Sequence, residues 1–133
     1  MMRNTPKIGS DQIAQLLSKF IQDGGFSISV LTDKFGLPIA SAFDNGFDPD
    51  RQAAVVGMIQ KNVAAVAQGL GISQADEISF HYDQGQRLIC KFFTANNYDL
   101  ILAITVLDKG KSYRRLMKKV INEICQVWTL YWE

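Results

Sequence analysis

Few side chains in this sequence could carry covalent or proton-transfer chemistry. His81 is the only histidine among 133 residues. A single imidazole excludes a histidine-based metal cluster and leaves no spare base for a Ser-His-Asp relay. A cysteine–histidine pair would need Cys90 or Cys125 to meet His81, yet both cysteines sit inside apolar runs on separate elements. There a thiol is a small buried hydrophobe, and two free thiols in a reducing cytoplasm are favoured over a disulfide. His81 itself reads as a surface or interface residue of a strand. Asp44, Asp48 and Asp50 lie around Asn45-Gly46. They lack the terminal bidentate glutamate of a calcium loop, so they read as turn and cap chemistry. No G-x-x-x-x-G-K-S/T or G-x-G-x-x-G phosphate loop occurs. No catalytic residue, metal or cofactor is expected.

Charge gives the next signal. The formal net charge is +1, with 47% hydrophobic and 20% charged residues. That is ordinary globular composition, with no reason to expect bulk nucleic-acid binding. Between 109 and 119, however, stand Lys109, Lys111, Arg114, Arg115, Lys118 and Lys119, with no acid among them. Cations in the first turns of a helix oppose its dipole, at a cost of about 0.3–1 kcal/mol each. Lys111, Arg114, Arg115, Lys118 and Lys119 fall on one face, opposite Tyr113, Leu116, Met117, Val120, Ile121, Ile124, Val127 and Trp128. The face is either simply solvated or an electrostatic patch for an acidic protein surface or an anionic membrane. Nucleic acid fits less well, because few aromatics interleave with the cations. The aromatic tail 127–133 either folds back on the core or forms a partner contact.

The elements that position these residues follow from periodicity and turn chemistry. Ser10 reads as the cap of a first helix that places Ile13, Leu16, Leu17, Phe20 and Ile21 on one face and ends at Gly24-Gly25. Strands are expected at 26–32 and 38–43 around a turn at 33–36. Asp48-Pro49 opens a helix lasting to about 70. Three more strands follow at 77–82, 87–94 and 98–107, joined by turns at Gln84-Gly85 and Asn96-Asn97. A last helix fills 111–131. Strand five is apolar on both faces and belongs in the centre. Pro38 suits an edge. The expected fold is therefore α+β, in the order α-β-β-α-β-β-β-α. Its five-stranded antiparallel sheet has the order 2-1-5-4-3 and helices on both faces. The chain reads as a single domain over 1–133, with 1–9 as a flexible N-terminus. No apolar signal-peptide core follows the N-terminus, and the most apolar run, 100–107, is too short to span a bilayer. A cytoplasmic protein without membrane association is expected.

The second helix speaks to assembly. Val55, Val56, Ile59, Val63, Val66, Ala67 and Leu70 form a broad aliphatic face that is expected to cover the sheet. Beside it runs a small-residue stripe, Ala53, Gly57, Gln60 and Ala64. Gly57 costs about 1 kcal/mol in a helix interior, which points to a packing reason. The stripe fits either the close approach of a second copy or a loop or helix of the same chain. Strand three, with Ser79 and His81, is an unguarded edge that invites pairing with that copy.

Taken together, these elements resemble the roadblock family, the dynein light-chain roadblock domain that also includes bacterial gliding-motility regulators of small GTPases. The match rests on Ser29-Val30-Leu31-Thr32-Asp33, on Gly36-Leu37-Pro38-Ile39-Ala40-Ser41 and on the Ala-rich helix with Gly57-Met58. It extends to Leu100-Ile101-Leu102-Ala103-Ile104 and the basic last helix, and so runs from Ile13 to Trp128. The resemblance implies a homodimer or heterodimer built through the second helix and third strand. It implies a regulator or scaffold of a small Ras-like GTPase, or a subunit of a motor or signalling complex. The family offers no shared catalytic residues. No arginine finger can be matched, so Arg114 and Arg115 stand as candidates for partner contact. A small-molecule sensor, with a pocket walled by Phe80, Tyr82 or Phe92, is the alternative; an enzyme is not expected.

Overall fold

A computed structural model describes residues 5–73, 75–108 and 110–132, apart from the side chains of Thr5 and Pro6. The elements are α1 (Thr5–Gly24), β1 (Ile28–Asp33), β2 (Pro38–Phe43), α2 (Pro49–Leu70), β3 (Glu77–His81), β4 (Arg87–Ala95), β5 (Tyr98–Val106) and α3 (Arg114–Tyr131). The strands form one antiparallel sheet in the order β2-β1-β5-β4-β3. This is the α+β arrangement expected from the turns.

Central position explains the composition of β5. Leu100, Leu102, Ile104 and Val106 join the layer under α1 and α3, while Ile101 and Ala103 face the α2 side. Neither side can carry polar groups, so the strand reads as a continuous apolar run. Local chemistry sets the connections. Asn96 and Asn97 both hold positive φ (47° and 71°) between the paired Ala95 and Tyr98, as a two-residue hairpin turn requires. Asp33 Oδ1 accepts from the backbone N–H groups of Phe35 (2.8 Å) and Leu37 (3.0 Å), which closes the β1–β2 turn. Asp48 caps α2 by accepting from Asp50 N–H at 3.0 Å, and Gly71 ends it in the left-handed region.

Two expectations need correction. Residues 5–9 are helical: α1 begins at Thr5, and Ser10 lies inside it. The added turns pack on a segment distant in sequence. A β-carbon on Gly9 would stand 2.5 Å from the Trp132 ring, so α1 continues under the C-terminal aromatics. Trp132 stacks on buried Trp128 with centroids 3.9 Å apart, and Asn96 donates to the Trp132 carbonyl at 2.9 Å. The tail through Trp132 thus folds back on its own core. Residues 1–4 and Glu133 lie outside the described residues.

The second correction concerns which face of α2 meets the sheet. Ala53, on the small-residue stripe, is 1% exposed and packs on Ile28 and Val30. A β-carbon on Gly57 would stand 2.7 Å from the Phe35 carbonyl oxygen, and one on Gly36 would stand 2.6 Å from the Gly57 α-carbon. The stripe is therefore used within the chain, against β1 and the β1–β2 turn. Of the aliphatic face, only Val56 and Ala67 are buried, whereas Val66 and Leu70 are 58% and 67% exposed. Alanine at position 57 would gain about 1 kcal/mol of helix propensity in an open site. Here the overpacking cost of about 1–3 kcal/mol exceeds it. Gly57→Ala is expected to lower the melting temperature, and thermal unfolding that shows an increase would refute the backbone contact.

Candidate functional site

The position of α2 leaves part of the sheet bare. Gln52 anchors the helix over β5: its Nε2 donates to the Ala103 carbonyl at 3.2 Å and its Oε1 accepts from Thr105 Oγ1 at 2.8 Å. The helix lies toward β1 and β2, so its outer flank of Val55, Val66 and Leu70 stays in solvent. Next to that flank, β3 and β4 present Ile78, Phe80, Leu88 and Phe92 on the same face, none of them fully buried. A cleft of about 310 Å³ between helix and sheet is lined by Val55, Tyr82, Leu88 and Leu107, among others. Strand β3 pairs with β4 on one side only, so its outer edge is unpaired among the described residues. Phe80 and Tyr82, the walls of a sensor pocket in the alternative reading, are 39% and 58% exposed on this open surface.

The residues singled out for self-association divide accordingly. Ala53 is buried within the chain, and Gly57 packs on the β1–β2 turn. Gln60 and Ala64 are half-buried and line a small cleft with Val63, Ala75 and Phe92. Ser79 and His81 are exposed on β3, with Ser79 Oγ 3.2 Å from His81 Nε2. They face the α3 side of the sheet, because Ser79 pairs with Ile89 of that layer. One signal for the exposed flank was available. The apolar and small residues of α2 together form an arc wider than the roughly 100° that one sheet contact covers.

The basic residues are all on the surface: Lys111, Arg114, Arg115, Lys118 and Lys119 are exposed, and Lys109 lies outside the described residues. They do not act as one patch. Arg114 and Lys118 border a groove between α3 and β4, while Lys119 stands on the other flank of α3 beside Lys19 and Asp23 of α1. Tyr113 OH donates to Glu77 Oε2 at 2.8 Å, and Arg114 Nη2 lies 3.7 Å from the same oxygen. Burial, and then the bond to Glu77, raises the Tyr113 hydroxyl pKa above its usual value. Arg87 donates to the backbone carbonyls of Asp108 and Lys111, which ties the segment before α3 to the start of β4. No sequence pattern points to this Tyr113–Glu77–Arg114 cluster, because Glu77 stands 36 residues before Tyr113 on a different element.

The groups capable of covalent chemistry stay apart. Cys90 is fully buried on the α2 side of the sheet, and His81 lies on the opposite side of β3. Both cysteines are free. Among the described residues no group of three or more His, Cys, Asp or Glu side chains could hold a metal. No described helix is long and apolar enough to cross a membrane.

No protein-family model matches the sequence, and no curated protein matches it either. Solved structures do. MglB of Myxococcus xanthus superposes with a TM-score of 0.72 at 20% identity, covering 92% of each chain. The gliding protein MglB of Thermus thermophilus gives 0.69 at 16% identity over 90% of each chain. A Roadblock/LC7 domain from Streptomyces avermitilis gives 0.66 at 15% identity, over 89% of this chain and 95% of that one. The chain has the roadblock fold. In this roadblock fold the one thiol at the sheet centre is inert: burial pushes the Cys90 pKa from 9.0 up to about 12. A raised folded-state pKa leaves stability intact below pH 9 and erodes it as pH climbs from 9.0 toward about 12. Cys90 is expected to resist alkylation at pH 8 until the protein unfolds, with Cys125 modified first. Rapid labelling of Cys90 in the native state, read by peptide mass spectrometry, would contradict this.

Proposed function

We propose that the protein is a dimeric, non-enzymatic regulator or scaffold of a small Ras-like GTPase in the cytoplasm. The observation that carries the dimer is the uncovered apolar surface of α2 and β3–β4 beside an unpaired strand edge. Clustered exposed apolar residues favour an interaction site, and a free edge favours pairing with another strand. A second copy meets both needs, with β3 pairing to its counterpart and the two aliphatic flanks of α2 closing over the joint. Ser79, His81, Gln60 and Ala64 then lie at or near the contact. A solved structure titled "MglB with tetrameric arrangement", similar to this chain over 92% of each at 15% identity, lends support to self-association.

The GTPase reading rests on the resemblance to roadblock regulators and on the shared fold with MglB. Of the exposed cations Lys111, Arg114, Arg115, Lys118 and Lys119, the pair Arg114 and Lys118 beside the α3–β4 groove is read as the charged partner contact. Any stimulation of GTP hydrolysis would come from reshaping the GTPase, as the resemblance to roadblock regulators implies. Service as a structural subunit of a larger complex uses the same surfaces.

Light scattering at micromolar concentration is expected to report a dimer, and Val66→Arg a folded monomer, because position 66 is 58% exposed within one chain. A monomer mass for the unaltered protein would sink the dimer. A pull-down against the small GTPases of the same cell, loaded with GDP or a GTP analogue, is expected to capture one nucleotide state preferentially. Binding to neither would refute the GTPase reading and leave the dimer untouched.

A further inference from the structure

On the sheet face away from α2, a groove of about 370 Å³ runs between α3 and the outer strands. Its apolar wall is Phe93, Met117 and Ile121, and its border carries Lys91, Arg114 and Lys118. The only acid there, Glu77, is already taken: it accepts from Tyr113 OH at 2.8 Å and lies 3.7 Å from Arg114. Lys91 meets Asp76 at 3.5 Å, but that carboxylate is 87% exposed, so the pair is weak. Lys118 has no ion-pair partner among the described residues. The groove is therefore apolar within, with three cations and one hydrogen-bonded carboxylate around its border.

We propose that this groove docks an acidic amphipathic segment of a partner protein, one apolar side chain seated on Met117 and Ile121 and flanking carboxylates on Lys118 and Arg114. A helix laid in a groove through spaced apolar anchors is a recurrent mode of peptide recognition, and charge around the groove sets its orientation and partner choice. A flat anionic membrane would not use the concave apolar wall, and a nucleic acid would find no exposed aromatic platform there. The proposal rests on the reading of the basic α3 face as a partner contact. It specifies what that face recognises, and it does not depend on the partner being a GTPase.

The test uses the full chain and a fluorescein-labelled helical peptide with a leucine stripe flanked by glutamates, titrated by anisotropy. Lys118→Glu is expected to weaken binding about tenfold or more, whereas Arg115→Glu, outside the groove, changes it by less than about twofold. A peptide with its leucines replaced by serine is expected not to bind. Equal losses from both charge variants would overturn the groove in favour of diffuse attraction. So would binding by the serine peptide, or no binding at all. Binding to phosphatidylserine vesicles without peptide binding would assign the patch to a membrane instead. GTPase capture that survives Lys118→Glu would remove the groove from the GTPase contact while leaving the regulator reading intact. Peptide binding without GTPase capture would do the reverse.

Discussion

At Gly36 and Gly57 the backbone of the β1–β2 turn meets the backbone of α2, with no room for a side chain between them. Much of the molecule's surface follows from that contact. The helix can approach the turn so closely only because its inward stripe is small, with Ala53 below and Gly57 at the crossing. Gln52 then holds the first turns over β5. Fixed at both points, α2 lies mainly over β2, β1 and β5, covers Cys90 of β4 through Val56, and leaves the outer part of β4 and β3 largely open on that side. Val56 is buried, but Val55, Val66 and Leu70 are left in solvent. An apolar flank that looks wasteful in one chain is the direct consequence of a close helix–turn approach.

The other face of the sheet is built on the opposite plan. Helices α1 and α3 pack side by side, and Leu100, Leu102, Ile104 and Val106 of β5 lie beneath them with Ile13, Leu17, Met117, Val120 and Ile124. Trp128 and Trp132 close the end of this layer against Gly9 and the β4–β5 turn. Burial of each large side chain contributes roughly 1.5–3 kcal/mol before conformational entropy is counted. Most of the fully buried large residues belong to this layer, so it holds the fold, while the α2 layer keeps apolar surface exposed.

Wherever local chemistry decides, the sequence was readable. Pro38 marked an edge, Asn96 and Asn97 a hairpin turn, Asp48 a cap and the unbroken apolar run of β5 the sheet centre. Strand order followed from those signals alone. Failure came where two answers were locally equivalent. Both stripes of α2 are apolar enough to be buried, and residue size favours the aliphatic one. The outcome was set by Gly36, 21 positions away in sequence and part of a different element. The start of α1 was also missed, and the first turns pack on Trp132 at the far end of the described chain. The groove beside α3 was half visible: the cations stood out, but its wall joins Phe93 of β4 to Met117 and Ile121 of α3, and only the fold brings these together.

Those two exposed regions differ in a way that bears on how each could be used. The α2 flank and the β3–β4 face are broad, apolar and almost without charge, and such a surface is best kept covered at all times. A permanent partner suits it, and an identical copy brings a matching surface at every encounter. The α3 groove is narrow and bordered by solvated cations, so it stands in water at little cost when empty. Its attraction for an acidic ligand falls with salt and is easily reversed. In the proposed dimer, β3 pairing across a two-fold axis makes the sheet continuous and sets both copies of the groove on one face. A ligand with two acidic segments would then engage them together, and the effective concentration of the second segment would strengthen two individually weak contacts. Self-association would supply the fixed frame, and exchangeable binding would take place on the side of the sheet that the dimer contact leaves open.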